Sequence, residues 1–118
     1  MKKKNSRAID RLIETAVQAR KRSYSPYSRY PVGAAVLTAS GRVFAGCNVE
    51  NASYGLSMCA ERSAIYHSVT GGHDAIQALA VVGAAAKPCG ACRQVMYEFS
   101  DKDTALYLVD LNASTGRR

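Results

Sequence analysis

At 118 residues and 12.7 kDa, the chain has the length of one domain and can bury roughly two-thirds of its unfolded surface around a single core. Apolar residues make up 47% and charged residues 21%, which excludes a wholly disordered chain, and no apolar run approaches the roughly 20 residues that span a bilayer. Sixteen Lys and Arg against nine Asp and Glu give a formal charge of +7, yet eight of the sixteen cations lie between Lys2 and Arg22. Charge so placed reads as a solvated helix face rather than a nucleic-acid groove. The basic start, Met1 to Arg7, is followed by an amphipathic segment and not by the apolar stretch of a secretion signal, so a cytoplasmic protein is expected.

From Ser6 to about Arg22, Ile9, Leu12, Ile13, Ala16 and Val17 recur at i, i+3, i+4 and i+7, the pattern of an amphipathic helix. Pro26 in the turn-rich stretch 23–28 keeps the helix from continuing. Val32 to Thr38 is a short apolar run ahead of Ser40-Gly41, and Arg42 to Val49 is set to pair with it as a hairpin. The polar stretch from Asn48 to Met58 reads as a loop, and Cys59 to Val69 as a helix closed by Gly71-Gly72. Ile76 to Val82 is continuously apolar, as a strand buried on both faces would be. A short helix from Cys89 to Phe99 and a strand from Ala105 to Leu111 complete the order. Alternating strands and helices of this kind predict an α/β fold, a mixed sheet sandwiched by helices, in a single domain over residues 1–118.

The chemistry lies in the cysteines. Without a secretory context, four of them, Cys47, Cys59, Cys89 and Cys92, suit metal binding or catalysis better than disulfides. Cys59 opens one expected helix; Pro88-Cys89 opens the next, with Cys92 one turn on. Helix amino termini carry unpaired N–H groups and partial positive charge, which favour thiolates. Three thiolates at two such ends could hold zinc with the fourth position left for chemistry, whereas a structural site fills all four. Cys47 ends a strand and suits a small buried hydrophobe; a closed four-cysteine site that includes it is the alternative. Glu61, two residues after Cys59, could carry protons beside the metal without binding it. Standing alone it would be an ordinary first-turn carboxylate. A ligand-x-Glu element followed by P-C-x-x-C matches the signature of zinc deaminases.

Four ordered segments extend the match: Ser25-Pro26-Tyr27-Ser28-Arg29-Tyr30-Pro31-Val32-Gly33-Ala34-Ala35, Gly46-Cys47-Asn48-Val49-Glu50-Asn51-Ala52-Ser53-Tyr54, Cys59-Ala60-Glu61-Arg62, and Pro88-Cys89-Gly90-Ala91-Cys92-Arg93-Gln94. Over nearly its whole length the chain resembles the small, homotetrameric class of cytidine deaminases. The resemblance implies Zn²⁺ on Cys59, Cys89 and Cys92, Glu61 as proton shuttle, and Asn48 and Glu50 gripping the ribose hydroxyls. It further implies the Ala60 N–H as a donor near the pyrimidine carbonyl, Tyr30 facing the base, and Tyr27 and Tyr54 around a pocket shared between subunits. Arg62 looks like the cation that bonds the ligand thiolates. The implied activity is hydrolysis of free cytidine or deoxycytidine to the uridine and ammonia, by a homo-oligomer with no membrane or nucleic-acid partner.

Three departures from the family pattern stand out. Tyr30 occupies a position where Phe is common, and residues 83–87 form a shortened connection. Beyond Leu111 the pattern leads to expect another strand and a helix, and with them a more closed pocket. The rival readings are a deaminase of a modified cytosine nucleoside (blasticidin-type or N4-substituted), a nucleic-acid editor, and a zinc-stabilised binding module without catalysis. Editors usually carry His at the first ligand position, where this chain has Cys59.

Overall fold

The computed structural model describes residues 6–53, 56–83 and 90–110, with backbone alone for 90–93. The first helix, α1 (Ser6–Arg20), buries Leu12, Ile13, Ala16 and Ala19, the stripe its periodicity predicts. It stops two residues before the expected Arg22 because the last N–H groups switch to i−3 carbonyls, Lys21 to Gln18 at 3.2 Å and Arg22 to Ala19 at 2.9 Å. This tightening is how helix ends satisfy their leftover groups.

Next come β1 (Gly33–Thr38) and β2 (Val43–Cys47), an antiparallel hairpin with Ala35 opposite Ala45 and Leu37 opposite Val43. Its turn closes through Gly41 N–H to Thr38 O at 2.9 Å, with Gly41 in the left-handed region at φ 93°. α2 (Ala60–Thr70), β3 (Ile76–Gly83), α3 (Gly90–Phe99) and β4 (Ala105–Asp110) follow. The strand order is β2-β1-β3-β4; β1 is antiparallel to both its neighbours, and β3 and β4 are parallel. This is the mixed sheet between helices that the residue pattern predicts. β2 ends at Cys47, short of the expected Val49, because Val49 leaves β1 and bridges to Tyr24 and Met58 instead. Leu111, the end of the expected last strand, lies outside the described residues, as do Pro88, Cys89, Tyr54, the 84–87 connection, the first five residues and the carboxyl-terminal segment.

Because β1 and β3 are covered on both faces, they carry apolar residues at every turn of the pleat. Ala35, Leu37, Ala78, Ala80, Val82 and Val109 face α1 through Leu12, Ile13 and Ala16. Ala34, Val36, Leu79 and Val81 face Ala60, Ala64 and Ile65 of α2, with Val95, Met96 and Phe99 of α3 packed alongside. The helices sit very close to the sheet. A Cβ on Gly33 would stand 2.0 Å from the Ala16 carbonyl oxygen, and one on Gly46 would stand 2.3 Å from the Ala64 nitrogen. Only glycine permits that approach, and at Gly46 it sets the height of α2 above the strands.

Gly46→Ala should therefore cost about 2–4 kcal/mol, because two backbones would have to part. Gly41→Ala, whose Cβ meets nothing within 4 Å but must hold a positive φ, should cost only about 1 kcal/mol. Urea denaturation of both variants checks the ranking; equal losses would contradict it.

Candidate active site

The strand register decides where the chemistry gathers. Gly33 pairs with Cys47 on one side and Val82 on the other, and Val82 pairs with Val109. The start of β1 and the carboxyl ends of β2, β3 and β4 therefore lie in one row. The segment 23–32, the loop leaving Cys47, the start of α3 that follows β3, and Asp110 all belong to this end. In open α/β sheets, ligands settle in the crevice outside the carboxyl ends of the parallel strands.

Two mutual hydrogen bonds, Val49 N–H to Met58 O at 2.9 Å and Met58 N–H to Val49 O at 2.8 Å, sew the Asn48–Glu50 segment to the residue before Cys59. On its other side, Tyr24 N–H donates to Asn48 O at 3.1 Å and Glu50 N–H to Tyr24 O at 2.8 Å. Cys59 is the N-cap of α2, in extended conformation (φ −74°, ψ 154°), and its side chain makes no capping hydrogen bond. The sulfur instead accepts from Arg62 Nη2 at 3.5 Å. Ala60 is the first helical residue and buried, and N–H groups in a helix's first turn have no intrahelical acceptor. Glu61 is only 4% exposed. Carboxylates are rarely so buried outside functional or paired sites, and here the positive end of α2 offsets part of the cost.

Tyr30 faces the same space. Its phenol is pushed above the ordinary 10.0 first by partial burial, then by the negative charges of Asp110 and Glu61, with Arg20 opposing. Its backbone is pinned at both ends: Tyr30 N–H donates to Ser28 Oγ at 3.0 Å, and the carbonyl accepts from Asn48 Nδ2 at 2.9 Å.

Asn48 is first of all a staple. Its Oδ1 accepts from Ser23 Oγ and from Val32 N–H at 2.9 Å, so both lone pairs are in use, and one amide hydrogen remains after the bond to Tyr30. Glu50 accepts from the N–H groups of Tyr27 and Ser28 at 3.0 Å each, and from the Ser28 hydroxyl. These bonds, the Ser28 hydroxyl foremost, hold its carboxyl below the ordinary 4.5. One lone pair on Oε2 is left. A remaining donor on Asn48 and a remaining acceptor on Glu50 are what one hydroxyl group needs from its surroundings.

The Tyr27 ring is half exposed. Cys92 lies in the first turn of α3, described by its backbone only, and Cys89 and Tyr54 lie outside the described residues. Accordingly, among the described residues no three His, Cys, Asp or Glu side chains gather as a metal site. The donor chemistry nevertheless suits zinc. Cys59 presents sulfur at one helix start beside a guanidinium, and C-x-x-C spans the start of the next helix, which packs against the first. Cys47 lines a separate cleft with Arg22, Ser63 and His67, and burial pushes its thiol up, away from thiolate character. A cleft of about 520 Å³ at the opposite end of the sheet is lined by Asp74, Glu98, Asp101 and Asp103 and contains neither cysteine nor histidine. Asp110 and Ser23 belong to this end although no quoted segment contains them, and Ser28, which stands in the first segment, binds Glu50 without having been given a role by it.

Comparison with known proteins agrees with this geometry. A family model described as "Cytidine and deoxycytidylate deaminase zinc-binding region" matches residues 6–108. A cytidine deaminase from Halalkalibacterium halodurans is 50% identical over 103 residues, covering 85% of this chain and 78% of that protein. Crystal structures of cytidine deaminases superpose on it: that from Mycobacterium tuberculosis with TM-score 0.78 at 42% identity, over 83% of this chain and 82% of that one, and that from Burkholderia pseudomallei with TM-score 0.73 at 53% identity, over 76% and 75%.

Two outcomes follow from the side-chain bonds. Asn48→Ala, which strands the Val32 N–H and the Tyr30 carbonyl, should cost about 2–3 kcal/mol of stability in urea denaturation in addition to any loss of binding. Ser28→Ala should raise the Glu50 titration midpoint, read by carboxyl-carbon NMR, towards the ordinary 4.5. Since the folded value is the lower one, the stabilisation Glu50 contributes is present above the unfolded value and lost as pH falls through the folded one. An unchanged midpoint would show that the hydroxyl does not set it.

Proposed function

The chain belongs to the cytidine and deoxycytidylate deaminase family, and from that premise we propose that it hydrolyses free cytidine or deoxycytidine to the corresponding uridine, releasing ammonia, with Zn²⁺ as cofactor. The carrying observation is the buried Glu61, in the first turn of a helix capped by Cys59, at the sheet end where the C-x-x-C helix also begins.

Cys59, Cys89 and Cys92 would hold the zinc. When bound, the metal supplies a Lewis acid able to lower the pKa of water from about 15.7 towards about 7. Three thiolates exceed the charge of the ion by one, and the Arg62 guanidinium on the Cys59 sulfur draws off part of that excess. Glu61 takes a proton from the attacking water and gives it to the ring nitrogen, where it stays, and then carries the remaining proton of the added hydroxyl to the departing amine, general acid–base work favoured by its shielded position. Water adds at C4, the C4–N bond breaks, and nitrogen leaves as ammonia. The Ala60 N–H, at the start of α2, suits the pyrimidine carbonyl. The residual donor and acceptor of Asn48 and Glu50 suit a ribose hydroxyl, and Tyr27, Tyr30 and Tyr54 suit the walls around base and sugar.

A free nucleoside fits better than a polynucleotide. Arg7 and Arg11 of the basic helix α1 lie across the sheet from α2 and α3, on the far face from Glu61. We read the enzyme as a cytoplasmic homotetramer on the strength of its motifs and of a thiolate set that needs reducing surroundings; no described helix is long and apolar enough to cross a membrane.

Glu61→Gln should keep the fold and the zinc while lowering ammonia release from cytidine by about 10²–10⁴-fold. Retained turnover would remove Glu61 from the proton-carrying role, whereas a wild type that binds zinc and releases no ammonia would favour a binding module. Metal analysis should find one zinc per chain in the wild type and in Cys47→Ala, and none in Cys89→Ala. Equal loss from both variants would mean a closed four-cysteine site.

A further inference from the structure

The turn 25–30 and the Glu50 carboxylate are built as one clasp, and the hydroxyl at its centre has no role in the mechanism. Glu50 Oε1 accepts from the N–H groups of Tyr27 and Ser28 at 3.0 Å each, so two consecutive backbone donors close on one oxygen. Oε2 accepts from the Ser28 hydroxyl. The oxygen of that hydroxyl accepts in turn from the Tyr30 N–H at 3.0 Å, so both its position and the direction of its one hydrogen are set. The turn itself is strained. Its Arg29 N–H donates to Ser25 O at 2.9 Å, and Arg29 sits in the left-handed region at φ 56°, which is uncommon for a residue with a side chain. Strained backbone of this sort persists where surrounding contacts over-determine it, and it gathers at ligand clamps. The Glu50 backbone is anchored separately, through its N–H to Tyr24 O at 2.8 Å.

The last torsion of a glutamate side chain is soft. Two N–H groups on Oε1 fix one oxygen and leave the carboxylate plane able to swing; the Ser28 hydroxyl on Oε2 removes that freedom. Resting on the deaminase reading, we propose that Ser28 is a positioning residue that sets sugar specificity: its hydroxyl holds the Glu50 carboxylate so that the remaining Oε2 lone pair meets a ring hydroxyl of the nucleoside. Glu50 touches the sugar, and Ser28 acts only through it. Selectivity follows from the same geometry. A nucleoside without ring hydroxyls displaces water from the aimed oxygen and returns no bond, and a site built to bind a hydroxyl rejects an analogue that lacks one.

The experiment measures kcat and KM for cytidine and for 2′,3′-dideoxycytidine, which lacks both ring hydroxyls. The zinc-loaded wild type is compared with Ser28→Ala, Ser28→Thr, Glu50→Gln and the Ser28→Ala/Glu50→Gln double variant, with thermal melts to confirm folding. Ser28→Ala should lower kcat/KM for cytidine about five- to tenfold, the size of one hydrogen bond and chiefly through KM, and should leave dideoxycytidine within about twofold. Ser28→Thr, which keeps a hydroxyl, should recover the cytidine value to within about twofold. The double variant should be no worse than Glu50→Gln alone, because Ser28 works through that one carboxylate. Equal losses on both nucleosides in Ser28→Ala would mean that the hydroxyl only shapes the turn, and would overturn the proposal. An unchanged preference for cytidine, or losses that multiply in the double variant, would overturn it too. Wild-type protein that releases no ammonia from cytidine would overturn the functional reading and the proposal together, so the failure of the positioning role alone is told apart.

Discussion

The seating of β1 between two antiparallel neighbours, with β4 parallel beyond them, is the constraint on which the rest depends. It carries the carboxyl ends of three strands, the start of β1 and the starts of α2 and α3 to one end of the sheet. Glycine makes that seating tight. At Gly33 and Gly46 the helix backbones come so near the strands that no side chain fits, and the second contact sets α2 at the depth where Glu61 is buried yet still within one turn of Cys59. A carboxylate buried in this way keeps little contact with water, and electrostatic interactions strengthen where water is excluded.

The site end is assembled largely from backbone and hydroxyl hydrogen bonds rather than from apolar packing. Asn48 ties Ser23, Tyr30 and Val32 together, and Glu50 gathers Tyr27 and Ser28. Residues that the motif assigns to substrate are therefore also the residues that shape the pocket. The double duty has a physical reason: a loop with little apolar surface needs internal polar partners to be ordered at all. What each side chain keeps in reserve after those bonds is small, and that residue of hydrogen-bonding capacity is what can discriminate among ligands. Tyr30 belongs to the same logic, since its backbone is locked by Asn48 and Ser28 while its ring is left to the rim.

Much of this was legible in the residue order. The 3.6-residue stripe of α1, the unbroken apolar run of β3 and the glycines after α2 each encode a local preference strong enough to survive folding, and the observed elements start and stop within two residues of those expected where they are described. The cysteine motif was legible for a different reason: a ligand-x-Glu and a C-x-x-C need helix starts, and helix starts carry local signals. Asp110 and the hydroxyls of Ser23 and Ser28 were not legible, because nothing about a polar residue at the end of a strand or in a turn says what it will face.

By itself, then, the order of residues determined the elements and the mixed α/β class, since each depends on interactions between residues close in the chain. The tertiary structure alone decided that the Asn48–Glu50 loop is sewn to Met58, that Asn48 is already spent on three partners, and that Glu61 is buried at the start of α2. Those facts depend on strand register, and register is settled by which faces of β1 and β3 can be buried against α1 on one side and α2 on the other.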